Sequence, residues 1–201
     1  MTNPIKTLLL AVVLLFGLGS SQIGYAQDFN KGVEAWERSD YAAALKEWRP
    51  LAEQGDADAQ SNLGFMYHHG EGVIQDYKEA IRLYRLAAEQ GVAVAQYNLG
   101  ILYLRGEGVI QDYKESVKWW RLAAEQGHAS AQARLGASYL LGLGVIKDNV
   151  YAHMWYNIAA SNGWENAKEG RDIAANRMTP SQLEKATDLA RECVKKEYKD
   201  C

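Results

Sequence analysis

The strongest constraint in this chain is self-similarity at a shift of 36 residues. Residues 59–94 read AQSNLGFMYHHGEGVIQDYKEAIRLYRLAAEQGVAV, and residues 95–130 read AQYNLGILYLRGEGVIQDYKESVKWWRLAAEQGHAS. These blocks agree at 24 of 36 positions, and residues 131–166 keep 15 of the second block's 36. A period of this length marks a repeat architecture, where each unit is one supersecondary motif that buries its apolar face only by stacking on its neighbours. Length then counts units in a row, not the radius of one globular core.

Within a block the apolar spacing is helical. Ala59, Leu63 and Tyr67 recur at i, i+4 and i+8, a single stripe, with Gly64 beside it. Glycine inside a helix costs about 1 kcal/mol relative to alanine. Its return as Gly100 and Gly136 therefore predicts close helix–helix approach. The first helix should stop at Gly70-Glu71-Gly72, where glycine suits a left-handed cap, and Val73 and Ile74 are expected to plug the loop against the core. Asp76 is a good N-cap, and Glu79 three residues on suggests a capping box, repeated by Asp112 and Glu115. The second helix carries Ala80, Tyr84 and Ala87-Ala88 inward and stops at Gly91.

The pattern extends past the three blocks. Asp40, Tyr41, Ala44, Leu45, Trp48, Ala52 and Gly55 match the second helix one period earlier, which makes residues 28–58 an N-terminal unit with a shorter hairpin. Beyond residue 166 the repeat decays, with Arg171 and Asp172 standing where Leu and Gly are expected. Thr179-Pro180-Ser181-Gln182 is a helix start with proline at its first position. Leu183, Ala186, Leu189, Ala190 and Cys193 then form an apolar stripe, so residues 167–201 read as capping helices and a tail. The expected units are thus 28–58, 59–94, 95–130 and 131–166, followed by the cap.

Residues 1–26 read as a secretory signal peptide: Lys6, an apolar run from Thr7 to Leu18, and small residues at Gly24 and Ala26 before the cut. That run is too short to span a bilayer of about 30 Å, and removing it loses only Lys6 among charged side chains. The expected location is exported, periplasmic or secreted, with no stable membrane insertion after cleavage. A formal charge of −3 offers no basic field for nucleic acid.

The rhythm formed by Ala95, Gln96, Leu99, Gly100, Tyr103, Gly106, Gly108, Val109, Asp112, Trp119, Ala123, Ala124 and Gly127 closely resembles the Sel-1-like repeat family, a relative of the tetratricopeptide repeats. The unit containing Gly32 and Ala44 is similar to a plain tetratricopeptide unit. The resemblance implies an all-α fold, a right-handed α-solenoid of antiparallel helix pairs acting as a protein-interaction scaffold. Exported bacterial members of the family look like adaptors, or factors that meet host proteins. Some cysteine-rich relatives have been linked to β-lactam binding or hydrolysis, which gives the alternative of a weak hydrolase or binder of cell-wall-related amides. Those relatives carry a cysteine pair in each repeat, whereas the repeats here have none.

Chemistry-bearing motifs are sparse. There is no HExxH, CxxC or i, i+4 histidine pair for a metal, and no GxSxG or SxxK nucleophile. No metal, cofactor or catalytic residue is expected. His68 and His69 should point about 100° apart, Glu71 and Glu107 read as solvated loop carboxylates, and Trp119, Trp120 and Trp155 as packing residues. Lys78, Arg82, Arg85 and Glu89 read as an exposed helix face.

The better signal is the arc of the first helix opposite its recurring positions, which varies from unit to unit. If first helices line the concave surface, Asn62, Phe65, His69, Tyr97, Asn98, Ile101, Arg105, Arg134 and Leu141 form the groove for a protein or peptide partner. Tyr97 and Arg105 have the residue types of energetic anchors. Packing between repeats is the competing reading for Phe65 and Ile101.

On one continuous helix the Cα atoms of Cys193 and Cys201 would lie about 12 Å apart, beyond the roughly 7 Å limit of a disulfide. Export favours oxidation. The expectation is a Cys193–Cys201 bond, with the helix ending near Lys196 and the tail turning back. Free or intermolecular thiols are the alternative.

Overall fold

In a computed structural model, residues 28–201 are described; the expected signal segment, residues 1–26, lies outside the described residues. Ten helices and no strand occur among the described residues. They are α1 (Phe29–Glu37), α2 (Tyr41–Glu53), α3 (Ala57–His69), α4 (Tyr77–Glu89), α5 (Ala93–Arg105), α6 (Tyr113–Ala124), α7 (Ala129–Leu141), α8 (Asn149–Ser161), α9 (Ala167–Ala175) and α10 (Pro180–Lys195). Each packs mainly on its chain neighbours as far as α9, giving a solenoid of helix hairpins. First helices approach one another directly (α3 with α5, α7 with α9), and among the described second helices only α8 and α10, at the cap, come as close. That puts α1, α3, α5 and α7 on the inner side of the curve.

Local signals account for the helix ends. Asp76, Asp112 and Asp148 each accept two backbone N–H groups from the first turn that follows. The reciprocal half of the expected capping box is missing in α4, because Glu79 turns outward and grips Arg82 at 2.6 and 2.8 Å. α3, α5 and α7 end on left-handed Gly70, Gly106 and Gly142. In the loops that follow, Val73 packs against the core, but Ile74 does not plug it. Ile74, Ile110 and Ile146 are 91–92% exposed.

Between the two helices of each unit the glycines do what their cost predicts. A Cβ on Gly64 would stand 2.9 Å from the Tyr84 ring, and Gly100 lies against Trp120 in the same way. Gly136 and Gly170 flank the ring of Tyr156. The glycine of α9 thus sits two residues earlier than strict periodicity would place it.

A polar ladder ties the units together. Gln60, Gln96 and Gln132, all buried, donate to the carbonyls of Ala52, Ala88 and Ala124 at 3.0–3.1 Å. Their own carbonyl oxygens accept from Gln90, Gln126 and Asn162 at 2.8–2.9 Å.

The C-terminal cap departs from the hairpin rule. α10 packs on α8, not on α9, burying Ala186, Ala190 and Cys193. Met154 and Ile158 receive it, both 1% exposed, at positions held by Arg82 and Lys118, and by Leu86 and Leu122, in the earlier units. α10 ends at Lys195, the chain turns back, and Cys193 and Cys201 form a disulfide with Cα atoms 5.5 Å apart.

Candidate partner-binding groove

The inner face is not uniform. At its N-terminal end a groove of about 320 Å³ opens between α1, α3 and α5, lined by Val33, Trp36, Trp48, Ser61, Asn62, Phe65, Val94 and Asn98. Its walls are aromatic and aliphatic, and the amides of Asn62 and Asn98, one unit apart, supply polar groups. This is the make-up of a recognition site: apolar surface for affinity and a few fixed polar groups for orientation.

The walls are fixed from behind. The Trp36 ring meets Phe65 edge-on at 5.9 Å, and its Nε1 donates to Glu71 Oε2 at 2.8 Å. Glu71 is therefore a buttress of the groove, not a solvated loop carboxylate. Phe65 contacts His69 at 4.2 Å, and His69 stacks on His68 at 4.4 Å with an interplanar angle of 25°. The two imidazoles do not diverge as helical spacing alone suggests, since their side chains turn toward one another. Glu107 of the next unit also is not simply solvated. It lies 3.6 Å from His68 Nε2 and 3.7 Å from Arg105 Nη1.

Burial and the neighbouring His69 lower the His68 pKa below its ordinary value, against the opposing pull of Glu107. Deeper still, burial raises the Tyr84 phenol far above its usual range, with Asn98 opposing the shift.

Asn62, Phe65, His69 and Asn98 are brought together at this groove or its immediate rim, and Arg105 joins them through Glu107 and His68. Ile101 is a correction: at 6% exposed it packs with Val117 and Trp120 in the core and has no surface to offer. Tyr97 is half-buried, stacked on His128 at 5.0 Å, and its backbone carbonyl accepts from Trp120 Nε1 at 3.2 Å. Arg134 is half-buried, with its charge felt by Tyr156. Leu141 is 62% exposed at the end of α7. Arg134 and Leu141 belong to α7, in the C-terminal half, and Tyr97 lies on α5 but packs away from the groove, so none of the three lines it.

Sequence reasoning missed Val33, Trp36, Trp48 and Glu71. A signal for two of them existed: aligning Gly32 with Gly64 lays Val33 over Phe65 and Trp36 over His68. Among the described residues no group of His, Cys, Asp and Glu side chains is arranged to hold a metal ion.

The Sel1 repeat model matches residues 57–92, 93–128 and 129–164, more than half of the chain. A Sel1 repeat protein from Oxalobacter formigenes is similar in structure, with a TM-score of 0.69 and 35% identity over 73% of this chain and 60% of that one. A protective antigen of uropathogenic Escherichia coli strains, displaying an SLR fold, gives a TM-score of 0.60 and 30% identity over 85% of this chain and 46% of its own. The chain thus spans less than two thirds of either relative. Comparison with curated proteins returned no match. The three matched units, together with these likenesses, place the chain in the Sel1 repeat family.

Proposed function

We propose that the protein is an exported, non-enzymatic scaffold that holds a protein or peptide partner on its inner face, centred on the groove between α1, α3 and α5. The observation that carries this reading is the groove itself, an aromatic-walled cleft with Asn62 and Asn98 one unit apart. Such walls bury partner side chains, and paired amides suit the alternating donors and acceptors of a peptide backbone. Export rests on the composition of residues 1–26. The antigen character of the uropathogenic relative points the same way.

Site-specific photo-crosslinking in intact cells tests the reading. A probe at Asn62 should capture a discrete partner, whereas one at Lys78, exposed on α4, should not. Trp36→Ala should weaken capture by about 2 kcal/mol, near thirtyfold in affinity, with helicity unchanged. Equal capture from both faces, or capture indifferent to Trp36→Ala, would remove the groove from the account. Turnover of a chromogenic β-lactam by the purified protein would overturn the non-enzymatic part.

A further inference from the structure

An arginine and a tyrosine recur together at every junction between units: Arg49 with Tyr67, Arg85 with Tyr103, Arg121 with Tyr139. At the second junction Arg85 Nη2 donates to the Tyr103 hydroxyl at 2.6 Å. At the third, Arg121 Nη2 donates to the Tyr139 hydroxyl at 3.0 Å. The first junction breaks the rule. Among the described residues the Arg49 side chain has no hydrogen bond or ion pair, and the Tyr67 hydroxyl has no hydrogen-bond partner. A cleft of about 310 Å³ opens there between α2 and α4.

The cleft's chemistry is specific. Leu63 and Leu83, both buried, form its floor and Leu86, 38% exposed, one wall. Arg82 stands on the opposite lip, held by both oxygens of Glu79, so that carboxylate is already spent. Glu53 lies at the rim and is exposed. Arg82 keeps further N–H groups but its charge is already met by Glu79. The cation left without an anion is the Arg49 guanidinium, which has no acceptor capacity and a planar fork matched to carboxylate, with the Tyr67 hydroxyl in the same cleft.

We propose that this cleft binds the carboxylate of an apolar residue, the C-terminal end of a peptide or a free acid of the same kind, with Arg49 and Tyr67 on the carboxylate and Leu63, Leu83 and Leu86 around the side chain. In the other two junctions the tyrosine hydroxyl satisfies the arginine, and here the ligand does. The site lies between the second helices α2 and α4, with Leu63 and Tyr67 of α3 beneath them, and shares no lining residue with the inner-face groove.

Nuclear magnetic resonance titration of the full chain tests it with four probes: N-acetyl-Ala-Ala-Leu with a free C-terminus, the same peptide amidated, N-acetylleucine, and inorganic phosphate. The free acids should produce saturable shifts centred on Arg49, Tyr67 and Leu86, at least tenfold tighter than the amide. Tighter binding of the tripeptide acid than of N-acetylleucine assigns the ligand to a peptide end, and equal binding to a free acid. Arg49→Ala should weaken the acids at least tenfold and Tyr67→Phe severalfold, while both variants melt as the wild type does. Equal binding of acid and amide, binding that survives Arg49→Ala, or saturation of the same residues by phosphate alone would overturn the assignment.

Discussion

At the residue scale, burial acts on three of the four histidines in the same direction. Desolvation is the first cause that lowers His68, His128 and His153 below the ordinary value of 6.5. His128 has a further reason to stay neutral, because its Nδ1 accepts the Ala131 N–H at 3.3 Å as the N-cap of α7, a role that protonation destroys. In the unfolded chain these groups titrate near 6.5. Between that value and each lower folded value the unfolded state binds more protons, so stability falls as the pH drops through 6.5 and levels off below the folded values. Urea midpoints should therefore decrease from pH 7.5 to pH 5. His128→Asn, which keeps a capping acceptor but does not titrate, should flatten part of that slope, and an unchanged slope would refute the account. Legibility at this scale followed locality. Gly64 and Gly100 announced their role in the sequence because glycine in a helix has a cost that only close packing repays. Glu71 and Glu107 did not, because their partners Trp36 and His68 lie on other units, and spacing within one loop says nothing of them.

At the element scale the glutamine ladder joins one helix end to the next. Gln96, 4% exposed, ties the carbonyl of Ala88 near the end of α4 to the Gln126 side chain just beyond α6, through bonds of 3.0 and 2.8 Å. Gln96→Leu keeps the volume but leaves a buried carbonyl and an amide without partners, at a cost of about 1–3 kcal/mol for each buried group left unpaired. Chemical denaturation should show this loss, whereas Gln111→Leu, which removes a 2.6 Å hydrogen bond to the Leu104 carbonyl at an exposed position where water can replace it, should cost less. A Gln96→Leu protein as stable as the wild type would mean the ladder contributes nothing net. The helices themselves were legible from apolar period and cap residues, since those are local. The seat of α10 was less so. Its signal was not in α10 but in α8, where Met154 and Ile158 depart from the pattern of charged or half-exposed residues at those places, a departure that has meaning only once something is known to cover it. Ile101 fell on the variable arc for a related reason: variation between units marks packing differences as readily as partner contacts.

At the scale of the whole molecule, a stack in which each unit touches only its neighbours has stability set by its interfaces, and its ends fray first. The C-terminal end is closed by three linked contacts. The disulfide returns the tail to α10, the Tyr198 ring lies over Gly127, and the Tyr198 hydroxyl donates to Asn162 Oδ1 at 3.1 Å. Asn162 is also the last rung of the ladder, donating to Gln132 at 2.9 Å, so the clasp terminates the polar network and the apolar stack together. The turn is costly on its own, because Glu197, Tyr198 and Asp200 all adopt left-handed φ values of 53–67°, a region that side chains other than glycine rarely occupy. The covalent link offsets that cost by limiting the freedom of the open tail. For a loop this short the chain-entropy model gives about 2–3 kcal/mol. Reduction, or Cys193→Ser with Cys201→Ser, should then release α10 from α8 and uncover Met154, Trp155 and Ile158 without unfolding the N-terminal units. Amide exchange should accelerate roughly 30- to 150-fold in α8 and α10, the ratio that corresponds to that free energy, and stay unchanged in α1 to α4. Uniform acceleration along the chain would mean that the units unfold as one cooperative block, and no acceleration at all would mean that the packing of Ala186 and Ala190 on α8 suffices without the clasp.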